Sequence, residues 1–81
     1  MPSLLVIKNL MFIIHTRDHG FPHVTIDEGA PERWESRAKA RLDLVREIEV
    51  DGFSVKDMRV ILSIVEKNKL AWLEAWYDYQ K

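Results

Sequence analysis

The sequence predicts an α+β domain, an antiparallel sheet of four or five strands with C-terminal helices packed on one face. Three observations carry this expectation. The first third is rich in Val, Ile, Leu and Phe with no helical spacing. Between Trp34 and Leu44, apolar and charged residues alternate with a period of two. Beyond Ser54 the apolar residues recur at the spacing of a helix instead.

Taken in order, Leu4 to Ile7 and Leu10 to Thr16 read as two strands joined at Lys8-Asn9, where Asn accepts a positive φ more cheaply than most residues. The run from Arg17 to Pro22 is a loop, because Gly20 and Pro22 interrupt pairing and Pro22 holds Phe21 extended. His23 to Glu28 resumes a strand, and Gly29-Ala30-Pro31 marks a turn. Trp34, Ala38, Ala40, Leu42 and Leu44 then share one strand face, with Glu35, Arg37, Lys39, Arg41 and Asp43 on the other. Ser36 breaks the apolar parity and is small enough to sit there. Ile48 and Val50 suggest a further short strand ending at Asp51-Gly52.

Ser54 is a good N-cap, with Asp57 three residues on to meet the exposed first-turn amides. Met58, Ile61, Leu62 and Val65 follow on one helical stripe. Asn68 suits the cap of a second helix carrying Leu70, Leu73, Trp76 and Tyr77, so a break there is expected rather than one unbroken helix.

Both parities of the opening hairpin are apolar: Leu4, Val6, Leu10, Phe12 and Ile14 on one, Leu5, Ile7, Met11 and Ile13 on the other. One helical layer covers only one face. The second face must therefore curl on itself, with a minor core under Trp34, or meet a second copy or another protein.

Composition narrows the function classes. At 81 residues and 9.6 kDa the chain is one domain, residues 1–81, with no room for a second core. Twelve Lys and Arg against thirteen Asp and Glu give a net charge of −1, which argues against wholesale coating of a polyanion and leaves room for a local basic patch. There is no cysteine, hence no disulfide and no thiolate zinc site, and a cytoplasmic home is expected. The apolar stretch Leu4 to Ile14 is interrupted by Lys8 and Asn9 and falls short of the roughly 20 residues of a membrane span. No membrane association is expected. Ser54 and Ser63 lack a nucleophile-elbow context, and no Gly-rich phosphate loop is present. No cofactor is expected.

The candidate chemistry lies in two places. His15, His19 and His23 fall at i, i+4 and i+8 across a strand-loop-strand, with Asp18 near the loop tip. Such a group suits general acid-base work on a phosphodiester, with His19 and His23 as acid and base and Asp18 beside them, or a divalent metal. The structural alternative has Asp18 capping the turn while His19 and His23 pin loop backbone. Secondly, Arg37, Lys39 and Arg41 share one strand face, with Arg33 and Arg46 nearby, as a phosphate-backbone reader would. A solvated, edge-protecting face is the plainer account, since Glu32, Glu35 and Asp43 offset the charge. The aromatic tail, Trp72, Trp76, Tyr77 and Tyr79, reads as core, with a partner groove as the alternative if the tail is exposed.

The run Asp18-His19-Gly20-Phe21-Pro22-His23-Val24 resembles the Asp-His-x-x-Pro-His-Val signature of the bacterial domain-of-unknown-function family 4160. Met1-Pro2-Ser3-x-Leu5, Ala38-Lys39-Ala40-Arg41-Leu42, Gly52-Phe53-Ser54 and Leu73-x-x-Trp76 are also similar to that family, in order across essentially the whole chain. Two positions depart from it. Phe21 stands where a first Pro is common, and Thr25 stands where a further His often completes Pro-His-x-His, which weakens a metal role. The resemblance implies a small bacterial protein, encoded beside a second small protein of the family 2442 type, acting as the toxin half of a type II toxin-antitoxin pair.

The expected function is thus a toxin-like protein that binds a cognate small antitoxin and acts on a nucleic-acid or translation-related target. The alternatives are a small histidine-dependent, ribonuclease-like enzyme acting on RNA, and a non-toxic homodimeric binding module.

Overall fold

A computed structural model describes residues 3–7, 9–15, 20–30 and 33–79. Five strands, β1 (Ser3–Ile7), β2 (Leu10–Ile13), β3 (His23–Ala30), β4 (Arg33–Arg41) and β5 (Arg46–Asp51), precede one helix, α1 (Val55–Tyr79). The strands form an antiparallel meander in the order β1-β2-β3-β4-β5, so the α+β expectation holds. Each connection is short enough that sequential neighbours pair, the simplest antiparallel topology.

The two-residue connection sets Ile7 opposite Leu10 and Leu5 opposite Phe12. Side-chain parity therefore inverts between β1 and β2. Leu5 and Ile7 share the helix-facing side with Leu10 and Phe12, while Val6, Met11 and Ile13 face outward. This differs from a simple odd-even reading along the chain, because a two-residue turn puts residues of opposite parity directly across from each other.

The core lies between the inner sheet face and α1. Phe12, Ile14, Val24, Ile26, Ala38, Ala40 and Leu42 from the sheet side meet Met58, Ile61, Val65, Trp72 and Trp76 from the helix. Small residues on β4 accompany bulky ones on β2, β3 and α1, and the Phe12 and Trp72 rings lie 5.3 Å apart at a tilt of 41°.

The period-two reading of β4 holds. Ser36, Ala38 and Ala40 are buried, whereas Glu35 is exposed and Arg37, Lys39 and Arg41 are half-buried. The small Ser36 has a structural cause. Gly52 sits at φ +93°, and a Cβ there would stand 2.6 Å from Ser36 Oγ and 3.2 Å from Ser36 Cα. The β5–α1 turn thus packs backbone directly on Ser36, which requires glycine on one side and a small residue on the other. Leu44 does not continue the strand face. The chain turns over residues 42–45, Val45 takes φ 52°, and Leu44 is exposed. In β5 the register skips Ile48 between Glu47 and Glu49, a bulge that leaves both Ile48 and Val50 partly open to water. Between Glu28 and Gly29 the β3–β4 register skips Glu35, a bulge on β4 that faces Gly29 at φ 100°, a value that suits glycine.

The expected break at Asn68 does not occur. Ser54 caps α1 reciprocally: the Asp57 N–H donates to Ser54 Oγ at 3.1 Å and the Ser54 N–H donates to Asp57 Oδ2 at 3.2 Å. The stripe Met58, Ile61, Val65, Trp72 and Trp76 then stays on one face of a single helix of 25 residues. Asn68 occupies the gap in that stripe and donates from Nδ2 to the Ile64 carbonyl at 2.8 Å. This back-bond satisfies the amide inside the helix, so Asn68 has no need to cap a new one.

The outer face is enclosed unevenly. Ile13, Thr25 and Asp27 are buried, Met11 is half-buried, and Val6 is 58% exposed. The middle of this face is thus buried within the chain, whereas Val6 at its β1 margin is not. Trp34 lies in β4, and its side chain, expected over a second small core, falls outside the described residues.

Candidate partner-binding surface

Two cations of β4, Arg37 and Arg41, are held by carboxylates. Arg37 Nε and Nη2 donate to Asp27 Oδ1 and Oδ2 at 2.6 and 3.0 Å, directly across the β3–β4 ladder. The Asp27 side chain is 3% exposed and that of Arg37 35%. The hydrogen bonds to Asp27 raise the Arg37 pKa above its ordinary value, against a smaller opposing effect of desolvation. Arg41 makes the same two-pronged contact with Asp43, at 2.9 and 2.7 Å, and Asp43 Oδ1 also accepts the Leu44 N–H at 2.8 Å. The Arg41 hydrogen bonds hold the Asp43 carboxyl below its ordinary value, assisted by the Leu44 amide.

The Arg41 guanidinium carbon lies 4.4 Å from the centre of the Phe21 ring. Lys39 stands between Thr25 and Glu49 in the ladder, and Asp51 lies opposite Arg37. The structure thus brings Arg37, Lys39 and Arg41 onto one face, as their alternation predicts, but interleaves them with acids. A phosphate backbone would have to displace these ion pairs before gaining its own.

His23 opens β3 and packs between two rings, Phe21 at 5.9 Å and Trp76 at 5.0 Å between centroids. Its Nδ1 lies 3.0 Å from the Phe21 carbonyl and donates to it. This matches the backbone-pinning alternative for His23 and orients its other ring nitrogen away from that carbonyl. Asp18 and His19, the other members of the acid-base constellation, lie outside the described residues. Among the described residues, no three His, Asp or Glu side chains gather as a metal site would require. Of the aromatic tail, Trp72 and Trp76 belong to the core, whereas Tyr77 and Tyr79 are exposed, because they lie off the buried stripe of α1.

A different surface emerges at the other end of the sheet. Among the described residues β1 has a single neighbour, β2, and its strand Ser3–Ile7 carries no charged residue. Natural edge strands are usually protected by charge, proline or a covering element. Beside it runs a groove of about 310 Å³ between the hairpin end and the first half of α1. Ile7, Leu10, Phe53, Val60, Ile61 and Ile64 line it, together with Glu28 and Asp57.

Sequence reasoning missed Glu28. The signal was present, since Glu28 has the same parity as the buried Val24 and Ile26 and so points to the helix side of the sheet. An acid at an inward strand position is a more informative exception than an exposed apolar residue.

Among the described residues no helix is long and apolar enough to cross a membrane. No family model, curated protein or solved structure matches the chain.

Proposed function

We propose that this chain is a protein-interaction module, the toxin-like half of a bacterial toxin-antitoxin pair, which docks its cognate small antitoxin along β1 and the adjoining groove. One observation carries the docking site: an uncharged apolar strand with a 58% exposed Val6 forms the margin of the sheet. Main-chain groups along such an edge accept a further strand, and the side chains beside it select which one. The toxin assignment itself rests on the resemblance of the Asp18–Val24 run and its companion motifs to family 4160.

The ion pairs on β4 favour a protein partner over direct coating of nucleic acid by Arg37 and Arg41. The target of the free toxin is nucleic acid or part of the translation apparatus in this reading, with Lys39 and the segment around His19 and His23 as its contact region.

Co-expression tests the proposal. Induction of this chain alone is expected to arrest growth, and the neighbouring small gene is expected to relieve the arrest. Normal growth under both conditions refutes the toxin role. Val6→Lys, placing a charge on the edge strand, is expected to abolish relief while the protein stays folded.

The same edge favours one further reading, a homodimeric binding module, because an uncharged strand can pair antiparallel with its own copy. Sizing chromatography separates the two: a stable dimer that Val6→Lys converts to monomer supports self-pairing.

A further inference from the structure

We infer that the groove between the β1–β2 hairpin and α1 receives a partner segment in which an apolar anchor side chain stands next to a lysine or arginine. This rests on the docking reading above and specifies the chemistry of what docks. The walls supply the anchor site, since Ile7, Leu10, Ile61 and Ile64 present aliphatic surface from both layers of the fold. The volume of about 310 Å³ is at the small end of the roughly 300–1,000 Å³ of ligand pockets, a size for one or two side chains rather than a large cofactor.

Charge selects the neighbour of that anchor. Glu28 is half-buried in the groove wall on the helix side of the sheet, and among the described residues its carboxylate has neither a hydrogen-bond nor an ion-pair partner. The other buried or half-buried acids among the described residues, Asp27 on the outer face and Asp43 after β4, are each held by an arginine. Asp57 on the opposite wall gives one oxygen to the Ser54 amide and adds a second negative charge to the same groove. Two acids above an aliphatic floor repel an acidic segment and leave a purely apolar one with Glu28 desolvated and unpaired. A cation beside the anchor removes that penalty, and a partly desolvated, charge-assisted contact is the strongest polar interaction this groove can make.

The probe is a capped Leu-Lys-Leu tripeptide titrated into the isotopically labelled full chain, followed by amide and methyl NMR shifts. The expected result is saturable shifts at Ile7, Leu10, Ile61 and Ile64, with binding ~5-fold or more weaker for a Leu-Glu-Leu analogue and for the Glu28→Gln variant. Glu28→Gln keeps shape and removes charge, so its fold is expected to stand, which its own spectrum verifies. Equal binding of the lysine and glutamate peptides, or no loss with Glu28→Gln, overturns the inference. So does butylammonium binding as tightly as the peptide, which makes the groove a small-cation site. Concentration-dependent shifts at these residues in the chain alone assign the groove to a second copy and also overturn it. The growth experiment fails independently of this one: absent arrest with intact lysine selectivity sinks the toxin role alone, and relief without lysine selectivity sinks the groove chemistry alone.

Discussion

The Arg37–Asp27 pair decides whether the β4 cations are a binding row or part of the frame. Arg37→Met retains most of the aliphatic stem and deletes the charge that meets Asp27, whose side chain is 3% exposed. Breaking a fully buried pair costs about 3–5 kcal/mol because a charge is left desolvated. Arg37 is 35% exposed, so water reaches the vacated site and the expected cost falls to about 2–3 kcal/mol. In a domain of 81 residues that is a melting-temperature loss of roughly 10–20 °C.

Urea unfolding of Arg37→Met, Asp27→Asn and the double variant separates the pair from other contacts of Arg37. A coupling of about 1–2 kcal/mol is expected, since removing both charges relieves the stranded carboxylate. Lys39→Met, by contrast, is expected to stay within about 0.5 kcal/mol of the parent. Arg37→Met with parental stability, or a double variant no better than the sum of the singles, refutes the structural account. Loss of target contact at unchanged stability would return Arg37 to the binding row.

Further outcomes follow from the same geometry. Gly52→Ala is expected to cost about 2–4 kcal/mol by urea unfolding, from about 1–2 for the left-handed backbone and the rest from crowding Ser36 at 2.6 Å, with Ser36→Gly recovering part of the crowding loss. Trp72→Ala removes a core ring stacked near Phe12 and is expected to cost about 3–5 kcal/mol, while Leu70→Ala, on an 82% exposed side chain of the same helix, stays within about 0.5. Because the folded pKa of Asp43 lies below its ordinary value, the Arg41–Asp43 contact stabilises fully above about pH 5 and is lost as pH falls through that depressed value. Asp43→Asn is therefore expected to flatten the acid limb of a stability-pH curve, and an unchanged limb contradicts the assignment.

The strands and the helical start were legible because each rests on local physics. Alternation at Ser36, Ala38 and Ala40 records a half-buried strand whichever elements surround it. The Ser54–Asp57 cap forms within four consecutive residues, and the tryptophans at helical spacing bury themselves in the core. The Ser36 exception was also readable as a small residue, though nothing in its neighbourhood along the chain named Gly52 as the cause.

What escaped a linear reading depends on residues brought together from a distance. Asn68 carries a local cap signal, but its amide back-bonds to Ile64 within α1, and the buried stripe resumes beyond it at Trp72 and Trp76. The row Arg37, Lys39 and Arg41 looks cationic along one strand, and only β3, ten residues earlier, supplies the Asp27 that neutralises its first member. Glu28 likewise stands alone until the first half of α1 closes over the hairpin and makes a groove around it. Periodicity and capping are short-range properties written into neighbouring side chains, whereas charge compensation and cavities are created by long-range pairing, and a string of residues carries no distances between its far parts.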